Sequence, residues 1–313
     1  MTVSDTHQSE DVAPAPTAGT HLEAEVASQP ALWAAAAARL PQVAHLLPAE
    51  GERVAVVGCG TSLFMAQAYA ALREDAGHGT TDAWPASEHR LARGYDRVLA
   101  ITRSGTTTEV LDLLRELPAG PARTVVTADP ATPVVDLADP LVLDDADERS
   151  VVQTRFATTT LALLRASLGD DLAGAVRDAE QVLADGVAAL PEALVTAEQT
   201  TFVGRGWTVG LAHEAALKLR ESAQLWTESY PAMEYRHGPI SISTTGRATW
   251  ALGDLPEGLD DDVRATGAHL EHSARDPLAE LVRVHLLCLE RARRAGLDPD
   301  SPRHLSRSII LDA

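Results

Sequence analysis

Residues Arg53–Glu74 read RVAVVGCGTSLFMAQAYAALRE, an apolar run, a turn with two glycines, then a stretch of good helix formers. Valine favours a strand, and five apolar positions without alternation mean burial on both faces, so Arg53–Gly58 is a predicted buried strand. Ser62–Glu74 is its helix, since Ala, Leu, Met, Gln, Arg and Glu lose little freedom there. Outward from this unit the alternation continues. TDAWPA is a second strand, Arg97–Thr102 a third with a helix over Thr107–Leu117, Arg123–Asp129 a fourth and Pro140–Asp145 a fifth. Short apolar strands alternating with helices predict a parallel sheet covered on both faces.

Residues 156–198 form Ala/Leu-rich helices, after which the theme restarts. TTFVGRG at Thr200–Gly206 repeats the pattern of RVAVVGCG, and Ala248–Asp254 echoes the third strand. A helix around Asp260–Ala268, a strand in AHLEHS, an amphipathic helix at Pro277–Ala295 closed by Gly296, and a last strand in SIILD complete the second set. The expected fold is α/β, with two tandem three-layer αβα units built on parallel sheets. The expected boundaries are a disordered tail at 1–20, a first unit at 21–165, linking helices at 166–198 and a second unit at 199–313. The first unit would open with two short helices broken at Gln29-Pro30.

The chain has 313 residues, with 26 Lys+Arg against 45 Asp+Glu, for a formal charge of −19. That field repels nucleic acid and anionic membrane, so neither is an expected partner, and an anionic ligand needs local donors. Cys59 and Cys288 are the only cysteines, too few for a disulfide framework or a structural zinc site. No signal peptide or membrane-length apolar run is recognisable, and a cytoplasmic protein is expected.

Two strand-to-helix turns of the first half share a composition. Gly58-Cys59-Gly60-Thr61-Ser62 and Thr102-Arg103-Ser104-Gly105-Thr106-Thr107-Thr108 each place glycine and hydroxyl side chains at a helix N-terminus. Unpaired N–H groups and the helix dipole favour an anion there. Arg103 would add a fixed positive charge. Ser and Thr also cap helices with no ligand at all, so the matched pair is the signal. GCGTSL has Leu63 where a dinucleotide fingerprint needs a small residue, and no Gly-Lys-Ser/Thr occurs, so a small phosphorylated ligand is expected rather than a nucleotide.

The second half supplies ionisable groups. In His213–Ser243, Glu214, Lys218 and Glu221 stand at i, i+4 and i+7, on one helical stripe. Such a stripe is either an ordinary surface ion pair or a site. Lys218 is the only lysine of the chain, and unlike arginine it can be tuned toward a neutral amine. His237 follows, just before Gly238-Pro239.

Gly-Cys-Gly-Thr-Ser, the Thr102–Thr107 turn, Glu148-Arg149-Ser150-Val151, Ala-Leu-Lys-Leu-Arg-Glu-Ser and Arg-His-Gly-Pro, in that order, resemble the sugar isomerase (SIS) domain family. The likeness runs to the isomerase half of glucosamine-fructose-6-phosphate aminotransferase, to amino-sugar-phosphate deaminases and to ketose/aldose isomerases. It implies the SIS-type, flavodoxin-like topology and a homodimer with a shared active site. It further implies that Thr61, Ser62, Thr102, Arg103, Ser104 and Thr107 bind the phosphate of a phosphosugar and that Glu148 and Val151 lie against the sugar. By the same likeness Glu221 is the base between C1 and C2, Lys218 stands beside their oxygens, and His237, from the neighbouring subunit, opens the ring. No metal or cofactor is implied. No glutaminase domain is recognised, and Arg307 occupies the place of an imine-forming lysine, which arginine cannot replace chemically. A phosphosugar isomerase or amino-sugar-phosphate deaminase is therefore expected, with a non-catalytic phosphosugar sensor as the alternative.

Overall fold

The computed structural model describes residues 18–311. The chain begins with α1 (Thr20–Ala38) and the short α2 (Leu40–Val43), then enters β1 (Val54–Gly58) and α3 (Thr61–Asp75). There follow β2 (Thr81–Pro85), β3 (Arg97–Ile101), α4 (Thr108–Glu116), β4 (Ala122–Thr127) and β5 (Asp139–Val142). Three helices come next: α5 (Arg155–Ser167), α6 (Ala173–Asp185) and α7 (Glu192–Val195). The remainder is β6 (Thr200–Gly204), α8 (Thr208–Ala223), β7 (Thr227–Pro231), β8 (Ala248–Leu252), α9 (Leu259–Ala265), β9 (His269–Glu271) and α10 (Pro277–Arg294).

All strand pairings are parallel. The first sheet has the order β2-β1-β3-β4-β5 and the second β7-β6-β8-β9, so each reverses direction beside its first strand. Alternate residues of one strand feed different layers. Val54 and Val56 of β1 face a central helical layer that also receives Phe202 and Trp250 of the second sheet and residues of α1, α3, α5, α6, α8 and α10. Ala55 and Val57 face the outer cluster beneath α4, and Val203 and Ala251 face the one beneath α9. One apolar core thus runs unbroken between the two sheets.

Four expectations are corrected. The predicted break at Gln29-Pro30 does not occur, because Pro30 lies inside the single helix α1. The Val26 carbonyl that Pro30 cannot reach takes a hydrogen bond from the Gln29 side-chain amide at 3.2 Å instead. Most of the expected 1–20 tail lies outside the described residues, but Thr20 already opens α1. SIILD is not a strand over its described residues 308–311. Its ties to α4 are the Ile309 carbonyl accepting from Thr108 N and Leu311 N donating to Thr108 Oγ1, which is no sheet ladder. Finally, β7 falls where no strand was expected, since Glu228, Ser229 and Pro231 hide a strand that pairs on one side only.

Candidate active site

The two hydroxyl-rich turns follow β1 and β3, adjacent strands on either side of which the chain runs in opposite directions. Ligands of open parallel sheets bind at such a switch point. A cavity of about 210 Å³ opens there. Thr61, Ser62, Thr102, Arg103, Ser104 and Thr107 line one side of it. Val151, Lys218, Glu221 and Arg307 complete the wall, so residues from both halves of the chain meet in one cavity.

The turns are prepared for an anion. Gly105 takes φ +63°, a conformation suited to glycine, and its missing Cβ leaves room where Thr132 Oγ1 would be met at 2.0 Å. Among the described residues the hydroxyls of Ser62, Thr102 and Thr107 have no partner, and Ser104 Oγ only accepts, from Thr106 N at 3.3 Å. Thr107 is the N-cap of α4 without capping it through its side chain. These are donors in want of an acceptor.

Arg103 does not offer its charge freely. Its guanidinium is buried against Glu148 at 3.5 Å and donates to the carbonyls of Ser150, Val151 and Arg307 at 3.1, 3.4 and 3.2 Å. Glu148 is outside the cavity wall: its Oε1 accepts from Thr154 N, Thr154 Oγ1 and Arg155 N, closing the start of α5. Arg307 reaches the rim but turns its guanidinium to Asp147 and the Glu148 carbonyl.

Lys218 and Glu214 are each 1% exposed, so the stripe on α8 is no surface ion pair. The Lys218 ammonium lies 2.5 Å from Glu221 Oε2 and 3.5 Å from Glu214 Oε1. Burial works against its charge, but the two carboxylates outweigh burial and lift its pKa above the ordinary lysine value. The lysine is therefore held as a cation and is not the neutral amine that its sequence isolation suggested. Glu214 shows the opposite balance: full burial pushes its carboxyl up to about 7 despite Lys218 and the Thr61 hydroxyl, which donates to Oε1 at 3.2 Å. Glu221 keeps partial access to the cavity.

His237 is not brought to this cavity within one chain; it is exposed on a short turn at Glu234–His237. Conversely, Gln153 lines the cavity with a buried amide oxygen that has no partner, and sequence reading passed over it. Its place two residues after Val151 was the available signal. Leu305, Ser306, Ser308 and Ile309 also line the cavity, and of these Ser308 and Ile309 belong to SIILD, which was expected to be a last strand. Behind α8, His285 is buried and held neutral with its pKa pushed down to about 3, by burial first and Lys218 second.

A larger cleft of about 870 Å³ opens at the matching edge of the second sheet. Several of its polar groups are already engaged: Asp276 pairs with Arg165, Ser273 and Arg275 bind Glu280, and His272 bonds the Gly253 carbonyl. The smaller cavity, with unpartnered donors beside a buried cation, is the better candidate for chemistry. Among the described residues no cluster of three His, Cys, Asp or Glu is arranged to hold a metal, and no helix is long and apolar enough to cross a membrane.

No family model matches the chain. Curated relatives include the glutamine–fructose-6-phosphate aminotransferase (isomerizing) of Thermus thermophilus, 28% identical over 85% of this chain and 53% of the relative. The aminotransferase of Symbiobacterium thermophilum is 29% identical over 83% of this chain and 52% of its own length. The chain thus spans about half the length of the curated relatives it matches. Among solved structures, the glucosamine-6-phosphate deaminase of Thermotoga maritima superposes with a TM-score of 0.79 at 23% identity, covering 93% of this chain and all of that one. The tagatose-6-phosphate ketose/aldose isomerase of Escherichia coli gives 0.76 at 18% identity, over 94% and 97%. The resemblance to sugar isomerase (SIS) domain proteins read from the sequence is thus matched by similarity in sequence to these aminotransferases and in fold to the deaminase and the isomerase.

Proposed function

We propose that the chain is a phosphosugar isomerase or amino-sugar-phosphate deaminase, acting on a hexose or hexosamine 6-phosphate through an enediol. The observation that carries this reading is the meeting, in one cavity, of the hydroxyl-rich turns with the Lys218–Glu221 pair. The phosphate would take the free hydroxyls of Ser62, Thr102 and Thr107 and the N-terminus of α4. Glu221 would remove the proton beside the carbonyl and return it to the neighbouring carbon. An ammonium has three donors; two of Lys218's face Glu221 and Glu214, and the third would meet the oxygen that gains charge. His237, exposed in one chain, would act across a homodimer interface on the ring oxygen. Glu148 and Arg307 would serve by holding the cavity wall, through the contacts to Arg103.

Two tandem αβα units, divided near 166–198, a cytoplasmic setting and indifference to nucleic acid belong to the same proposal. The matching strand orders of the two sheets and the charge of −19 support it. Incubation with glucosamine 6-phosphate, with assays for ammonia and fructose 6-phosphate, tests it; a screen of other hexose 6-phosphates follows. Binding without turnover of any of them would favour a sensor and overturn the enzymatic reading.

A further inference from the structure

Glu25 on α1 is 4% exposed and is not part of the cavity wall, yet it is wired to it. Its Oε1 accepts from two successive backbone amides, Arg149 N at 2.6 Å and Ser150 N at 3.3 Å. The carbonyls of Ser150 and Val151 in turn receive the Arg103 guanidinium. Arg103 belongs to the anion-binding turn, and its own carbonyl is held by Ala128 N and Thr127 Oγ1. The other polar groups of the 150–151 segment are also fixed, since Ser150 Oγ donates to the Pro299 carbonyl and Val151 N to that of Asp300. Glu25 is the ionisable acceptor on the backbone amides of this segment, while Glu148 accepts from Arg103 itself at 3.5 Å.

We propose that Glu25 is a positioning residue: its carboxylate holds the 149–151 backbone that fixes Arg103, and its protonation slackens the anion-binding turn. The proposal rests on the reading of that turn as an anion site. An ionised carboxylate accepts N–H bonds more strongly than a neutral carboxyl does. The groups facing Glu25 are Glu148, Arg155 from α5, and the two amides. Burial and the neighbouring Glu148 carboxylate raise its pKa to about 7, against the amides and Arg155. The hold is therefore firm above neutrality and weaker below it.

Sulfate, a dianion at every pH used, is the probe, titrated calorimetrically into the wild-type chain and Glu25→Gln between pH 5.5 and 8.5. Glutamine keeps one neutral acceptor and so imitates protonated Glu25. At high pH the variant should bind about fivefold more weakly, the worth of roughly one hydrogen bond, and the gap should close as pH falls through neutrality. Glu214 titrates in the same range, so the comparison is made between the two proteins at each pH. No gap at high pH, or an equal gap throughout, overturns the proposal; an equal gap is what a merely structural role gives. If the wild type binds neither sulfate nor glucosamine 6-phosphate, the site reading itself falls. Amide exchange at Arg149 and Ser150 in the wild type needs no variant. After correction for intrinsic rates, protection should drop below neutrality, and unchanged protection overturns the proposal.

Discussion

The hydroxyl of Thr61 donates to Oε1 of Glu214 across 3.2 Å, joining the first turn of α3 to α8 over 153 positions of sequence. This contact ties the first hydroxyl-rich turn to the carboxylate that partners Lys218, and it is buried.

Glu214 predicts a pH effect on stability. Its carboxyl titrates near 7 when folded against an ordinary value of 4.5. The folded state therefore binds the proton more tightly. The stability this contributes is complete below 4.5 and is lost as pH rises to about 7. His285, pushed down to about 3, slopes the opposite way in the acid range, so the difference between two proteins is the proper readout. Glu214→Gln should gain melting temperature relative to wild type between pH 5 and pH 8, measured by thermal unfolding.

Glu221→Gln keeps the size of the side chain and an acceptor for Lys218 but removes the carboxylate proposed as the base. Turnover should fall by about 10²- to 10⁴-fold with KM little changed. Steady-state kinetics on whichever hexose 6-phosphate proves active checks this, and an unaltered kcat removes Glu221 from the mechanism.

Lys218→Met leaves the buried Glu214 and Glu221 facing each other without their cation. Breaking a buried pair from one side costs about 3–5 kcal/mol. Urea unfolding near pH 8 should show that loss, and Lys218→Met with Glu214→Gln should recover part of it.

Gly105 and Gly60 both have positive φ, but only Gly105 would drive a Cβ into a neighbour, Thr132. Gly60→Ala should cost about 1–3 kcal/mol, the strain of its φ +53°, ψ −124° backbone alone. Gly105→Ala should cost more and should also weaken sulfate or phosphosugar binding, because the turn must shift. Calorimetric titration of the two variants separates them.

The sheet strands were legible because Val54–Val57 and Val98–Ile101 are apolar without interruption, as burial on both faces demands. Edge strand β7 was not, since Thr227–Pro231 reads Thr-Glu-Ser-Tyr-Pro and its pairing is decided by tertiary context. The turns announced themselves through glycine and hydroxyl side chains. Burial did not: nothing in local sequence says that Lys218 is sealed in, or that the Arg103 charge is turned inward onto Glu148. The first depends on α8 packing against α3 and α10, and the second on the 148–151 segment meeting the Thr102–Thr107 turn, both relations between distant segments. The intact α1 was missed for a similar reason, since one side chain, Gln29, supplies the bond that Pro30 omits.

The unbroken apolar layer between the two sheets makes the molecule a fixed bench rather than a pair of hinged jaws. Parting the sheets to admit a ligand would wet Val54, Phe202 and Trp250 together, at a cost of about 25 cal/mol for each Å² uncovered. Traffic through the cavity therefore falls to its rim, where the largely exposed segment 305–309 lines it, while the distance between turn and carboxylate is kept by the stiffness of the interior.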